Sequence, residues 1–124
     1  MPWKRGTKPP GWYPRRGDVC LFALDKERPA LVISTDALNR FSLDLCIVPI
    51  STVEHKQFSL RPKIKGGEGG VDHDSWVKCD QVTTVEKTLA VYPPLGFLTQ
   101  ASLRKVEAAI RTALELQEKK EIDF

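Results

Sequence analysis

Apolar and polar positions come in short bursts over most of the chain and take up a helical period only near its end. Val19-Cys20-Leu21-Phe22-Ala23-Leu24 follows the turn-forming Arg16-Gly17-Asp18 and predicts a first strand. Arg28-Pro29-Ala30-Leu31-Val32-Ile33-Ser34 predicts a second, and Leu45-Cys46-Ile47-Val48-Pro49-Ile50-Ser51 a third. Both are apolar, rich in β-branched residues and bounded by polar residues or Pro. Pro29 is tolerated at a strand start, where its missing N–H costs least. Residues 25–27 form a tight link. The connector at 35–44 is shorter than the dozen or so residues of a parallel crossover, so the second and third strands are expected to be antiparallel neighbours. That connector can hold one helical turn capped by Thr35 or Asp36. Antiparallel pairing sets the start of one strand beside the end of the other, which brings Arg28 and Ser51 to one sheet edge. A guanidinium fork beside a hydroxyl on a rigid edge can hold a phosphate.

Residues 57–65 alternate weakly, with Arg61, Lys63 and Lys65 on one face of an extended segment. Two readings stand: a solvated edge strand whose cations discourage aggregation, or a face turned to nucleic acid. Gly66-Gly67-Glu68-Gly69-Gly70 reads as a flexible loop, and not as a phosphate-binding loop, since no Lys-Ser or Lys-Thr follows. Residues 75–85 predict one long strand, with Trp76, Lys78 and Asp80 on one face and Val77, Cys79 and Gln81 on the other. Lys78 and Asp80 read equally as an acid/base pair and as a salt bridge. Residues 86–88 form a turn, and 89–98 a short strand broken by Pro93-Pro94. From Thr99 the period changes: Leu103, Val106, Ile110, Ala113, Leu114 and Gln117 fall on one helical stripe. Thr99 or Ser102 can cap that helix, and Ala108 and Ala109 permit close approach to the sheet. The expected fold is mainly β, five or six antiparallel strands in a small half-open barrel closed by a C-terminal helix.

Length and charge narrow this further. A chain of 124 residues supports one domain with one core. We divide it into an extension at 1–15, mixing Pro, Gly, Trp and basic residues, and a domain at 16–124. The extension reads as a mobile tail with Trp12 or Tyr13 packed on the body, or as an arm whose cations and rings touch nucleic acid. The net charge is +3, yet residues 1–16 carry five basic side chains and no acid, leaving the rest at −2. Global charge therefore does not by itself argue for a nucleic-acid partner. No apolar run approaches the ~20 residues of a membrane span, and the first residues have no apolar core of a secretory signal. Cys20, Cys46 and Cys79 each sit inside an apolar run without metal spacing. They are expected to be reduced, buried thiols of a cytoplasmic protein. No metal or other cofactor is expected: Asp72-His73-Asp74 resembles a ligand cluster but reads as solvated beside the glycine loop.

Four segments in order carry a family resemblance: Arg16-Gly17-Asp18-Val19, Arg28-Pro29-Ala30-Leu31-Val32-Ile33-Ser34, Val48-Pro49-Ile50-Ser51, and Asp74-Ser75 followed by Cys79-Asp80-Gln81-Val82-Thr83-Thr84-Val85-Glu86-Lys87. Together they make the chain resemble the MazF/PemK/Kid toxins of bacterial toxin–antitoxin pairs, from residue 16 to about 117. The resemblance implies an SH3-like barrel, a homodimer, a cognate acidic antitoxin, and metal-independent cleavage of single-stranded RNA at short sequences. It implies catalytic roles for Arg28 and for the Ser51 hydroxyl, usually a Thr in the family, with Asp80 as general base and Lys78 where one branch has an acid-acting Arg. Thr52, Gln81, Lys56, Arg61, Lys63 and Lys65 are then the candidate RNA contacts. The link at 25–27 is shorter than the mobile loop of many relatives. Two other functions use such a barrel: poisoning of DNA gyrase through the terminal helix, and RNA binding without cleavage. The chain ends Ile122-Asp123-Phe124, unlike the Trp-Gly-Ile of the gyrase poisons, and carries the Arg28 and Ser51 pair that they do not need.

Overall fold

The computed structural model describes residues 7–54 and 60–116. Its strands are β1 (Asp18–Ala23), β2 (Glu27–Val32), β3 (Asp44–Ser51), β4 (Lys63–Ile64), β5 (Ser75–Val77), β6 (Thr83–Glu86) and β7 (Gly96–Phe97). Its helices are α1 (Asp36–Phe41) and α2 (Gln100–Leu114). The sheet runs β4-β5-β3-β2-β1-β7, with β6 also on β3, and every pairing is antiparallel. It curls into a half-open barrel.

Alternation along the central strands sorts their side chains into two cores. Val19, Leu31, Val48 and Ile50 join one, together with Leu103, Val106 and Ala109 of α2. Cys20, Phe22, Ala30, Val32, Leu45 and Ile47 join the other. This is the period-2 rule acting on three adjacent strands. Helix α2 begins where its sequence predicts, with the Thr99 hydroxyl accepting from the Ser102 N–H at 3.1 Å. Its buried stripe is shifted, since Ala109 is buried and Leu114 is exposed. Gln117 lies outside the described residues. Thr35 caps α1, and the buried Asn39 amide donates to the Ser34 carbonyl at 3.0 Å, pinning that turn to the sheet.

Two expectations are corrected. Residues 75–85 are not one strand. β5 pairs with Ile50 and Ser51 of β3, and β6 pairs with residues 44–47 of the same strand. Between them the chain turns at 78–81, with the Gln81 N–H donating to the Lys78 carbonyl at 3.0 Å. The break lies beside Pro49, the one residue of β3 without an N–H for the ladder. The 66–70 segment is closely packed at Gly69 and Gly70. A Cβ at Gly69 would lie 2.9 Å from Val19 Cγ2, and one at Gly70 would run into the Leu95 carbonyl oxygen. Glycine is needed here for close approach and for a positive φ, +79° at Gly70. Before residue 15 the chain is docked on the body, with Trp12 packed there as one reading of the extension expects. Trp12 packs against the second core and meets Tyr92 edge-on at 5.2 Å, Pro14 is buried, and the Lys8 ammonium donates to the Thr88 carbonyl at 2.6 Å. Among the described residues no helix is long and apolar enough to cross a membrane.

Candidate active site

β2 and β3 pair at Ala30↔Pro49, so continuing the register outward by two residues sets Arg28 opposite Ser51. Both line one cavity of about 310 Å³, whose other walls are Pro29, Pro49, Ile50, Lys78 and Gln81. Lys78 is brought there by its own backbone, whose N–H donates to the Pro49 carbonyl at 2.8 Å. The turn at 78–81 then carries Gln81 to the same wall. The predicted alternation had separated these two side chains, and the break in the strand unites them. The Ser51 Oγ accepts from the Val53 N–H at 3.1 Å, which leaves its O–H free to donate outward. The cavity thus gathers a guanidinium, an ammonium, a hydroxyl and a carboxamide. Among the described residues no carboxylate lines it, so its chemistry favours an anion.

The Arg28 fork is engaged by an acid that the sequence reading did not single out. Its Nε and Nη2 donate to the two Asp25 carboxylate oxygens at 2.9 and 3.0 Å. This hydrogen-bonded pairing holds the Asp25 carboxyl far below the usual carboxylate range and raises the Arg28 guanidinium. Two opposite charges three residues apart across a tight link were the available signal. A bidentate carboxylate has the shape and charge of two phosphoryl oxygens, so Asp25 occupies the face that an incoming phosphate would use.

Asp80 is elsewhere. Both its oxygens take hydrogen bonds from Arg61, at 3.0 and 2.9 Å, and this pairing lowers the Asp80 pKa. The Arg61 side chain is only 8% exposed. The pair braces the 78–81 turn against the segment that leads into β4. It takes Asp80 away from the Arg28 cavity, and it removes Arg61 from the face shared with Lys63 and Lys65. Lys63 instead reaches Asp74 at 3.3 Å and lies 5.7 Å from the centroid of the Trp76 ring. Asp74 also accepts from the Gly66 N–H at 2.9 Å, so this member of the 72–74 cluster ties down the glycine segment. Lys65 is exposed, and Thr52 lines a neighbouring cavity. Lys56 lies outside the described residues.

The family described as PemK-like, MazF-like toxin of type II toxin–antitoxin systems matches residues 15–114. The chain belongs to that family. A search of curated proteins gives no match. Among solved structures, an endoribonuclease in complex with its cognate antitoxin from Mycobacterial species is 26% identical. It aligns at a TM-score of 0.74, covering 86% of this chain and 99% of that one. A second endoribonuclease from Mycobacterial species is 28% identical at a TM-score of 0.68, covering 83% and 92%. The MazE–MazF complex of Deinococcus radiodurans, at 19% identity and a TM-score of 0.72, covers 86% and 99% and shares the fold.

In this MazF-like chain one of the segments that carried the resemblance is structural. The Arg16 N–H donates to Asp36 at 2.7 Å, its Nε donates to the Ile33 carbonyl at 3.1 Å, and its guanidinium pairs with Glu107. It thereby joins the entry to β1, helix α1 and helix α2. Cys20 and Cys79 are buried and Cys46 half-buried, all three as free thiols. Burial pushes Cys20 and Cys79 up to about 12, far from nucleophilic character.

Proposed function

We propose that this chain is a ribonuclease toxin that cleaves single-stranded RNA by attack of the ribose 2′-OH on the adjacent phosphate, and that a cognate acidic antitoxin restrains it. The observation that carries this reading is the convergence of Arg28, Ser51, Lys78 and Gln81 on one cavity with no acid among the described residues of its lining. Relatives described as endoribonucleases, one of them bound to its antitoxin, support the same reaction class. Cleavage needs the 2′-OH proton removed, charge on the phosphorane stabilised and the 5′-oxygen protonated. Arg28, once it leaves Asp25, can pair two phosphoryl oxygens. The Ser51 O–H and the Gln81 amide can donate to the same group, and Lys78 can protonate or neutralise the leaving oxygen. The cavity thus supplies two of the three tasks. Asp80, paired with Arg61, can supply the third only once it leaves that partner, as Arg28 must leave Asp25.

The test is incubation of the purified chain with a long unstructured RNA in EDTA, with mapping of the cut ends. Discrete cuts ending in a cyclic phosphate are expected. Arg28→Ala should lose about 10²–10³ in rate, as removal of one charge-stabilising donor does elsewhere. Undiminished cutting by that variant would remove Arg28 from the mechanism. The Asp25 clamp favours one second reading, a barrel that binds RNA without cutting it. Intact RNA retarded on a gel is its signature.

We also propose that the chain acts as a homodimer. Phe41 and Leu43 are 77% and 85% exposed where α1 passes into β3, with Leu38 beside them, and an apolar corner of this kind suits a second copy.

A further inference from the structure

Pro29, Ile50 and Ser51 wall two cavities, not one. On one side lies the cationic cavity of Arg28 and Lys78. On the other lies a cavity of about 340 Å³ at the open end of the first core. Resting on the nuclease reading, we infer that this second cavity is a nucleobase subsite of the RNA and that it selects cytosine over uracil.

Size and lining lead there. Ligand cavities span roughly 300–1,000 Å³, so this one is at the small end and suits a single flat ring. Leu21, Val71 and Leu95 join Pro29 and Ile50 as apolar walls for the faces of such a ring. The polar groups lie on the 72–75 stretch and at Thr52. That stretch is held in place: the Ser75 hydroxyl donates to the His73 carbonyl at 2.8 Å, and Asp74 is tied to Gly66 and Lys63. Gly70, on the wall, lets the Leu95 backbone close against it, since a Cβ there would run into the Leu95 carbonyl oxygen. The shared Ser51 wall gives continuity: a nucleotide whose phosphate meets Arg28 can pass its base across Pro29 and Ile50 into the second cavity.

Asp72 gives the selectivity. Among the described residues it is the one carboxylate in the lining, and a carboxylate oxygen accepts hydrogen bonds. At the exocyclic 4-position cytosine offers it an N4 amine, whereas uracil presents a carbonyl oxygen that a carboxylate repels, with N3–H as the one donor on that edge. Asp72 and His73 are exposed, as the solvated reading of 72–74 expects, and the fold sets them in one lining with Ser51.

The experiment is an amide-shift titration of the full chain, ¹⁵N-labelled, with inorganic phosphate, cytidine 3′-monophosphate and uridine 3′-monophosphate. Phosphate should move the amides around Arg28, Ser51 and Lys78. Cytidine monophosphate should add Leu21, Val71, Asp72 and His73, and bind roughly tenfold tighter than the uridine nucleotide. Asp72→Ala and Asp72→Asn, folded by the dispersion of their spectra, should bring the two nucleotides level. Shifts confined to the phosphate cavity, equal affinities in the unchanged chain, or a preference that survives both variants would overturn the subsite. Cut-site mapping separates this from the parent reading. If Arg28-dependent cuts occur and Asp72→Ala leaves their base preference unaltered, the subsite falls and the nuclease stands. If nothing is cut while cytidine still fills the cavity, the nuclease reading falls and the subsite stands.

Discussion

Arg28 is held by two hydrogen bonds to Asp25, and any phosphate that uses its fork must displace that carboxylate. Both side chains are about half exposed or more, so the pair is screened and contributes little to folding. Its effect falls on binding instead, as competition for one donor. Asp25→Asn is therefore expected to lower KM for RNA by up to about fivefold, the equivalent of a strong surface ion pair, with kcat held. The gain should vanish in an Arg28→Ala background. A gain of the same size in that background would mean that Asp25 acts only through general charge. Asp80 behaves in the opposite way. Its partner Arg61 is nearly buried, so Asp80→Asn leaves a desolvated charge without its counter-ion and should cost on the order of 3 kcal/mol in urea unfolding. The pH dependence follows from the lowered Asp80 pKa. The unfolded chain takes up a proton near pH ~3.9 while the folded chain resists it, so the pair's contribution is present above that pH. It is lost as pH falls through the folded value. Asp80→Asn should flatten that part of the acid-unfolding curve.

At the scale of elements, the turn at 78–81 and the glycine segment do the positioning. β3 has two successive partners on one side, β6 and then β5, and the chain must leave the ladder to pass between them. That excursion brings Lys78 and Gln81 to Arg28. The glycine segment seals the other end of the first core, with Gly70 against the Leu95 carbonyl in a left-handed conformation. Gly70→Ala combines a strained φ with a backbone clash and should cost about 2 kcal/mol or more, read as a lower melting temperature. An unchanged melting temperature would mean that residues 66–70 shift freely to accommodate the methyl.

For the whole molecule, the exposed corner at Phe41 and Leu43 sets the expectation of self-association. Leu43→Glu places a charge in an apolar contact and should turn a dimer into a monomer in sedimentation or light scattering, with the far-ultraviolet spectrum unaltered. A chain that is monomeric before the substitution would end the dimer proposal. An antitoxin that covers the Arg28 cavity would bring acids to a site that already holds one internal acid on its arginine. In that sense Asp25 and an acidic partner segment compete for one fork.

The order of the first three strands, the caps at Thr35 and Thr99 and the terminal helix were legible from local pattern. Each depends on period, propensity or a capping hydroxyl within a few residues. The meeting of Arg28 and Ser51 was legible too, because one short connector leaves only antiparallel pairing. The rest was decided by contacts between residues far apart in the chain. Asp80 and Lys78 share a face in an ideal strand, and only the pairing of Arg61 with Asp80 and the break beside Pro49 leave Lys78 alone of the two in the Arg28 cavity. The glycines at 66–70 look loose in isolation because nothing in the segment itself shows Val19 and Leu95 pressing against it. Alternation dictates which way a side chain points while a strand continues. Where the strand stops, and which distant charge waits at the break, is set by the packing of the whole barrel.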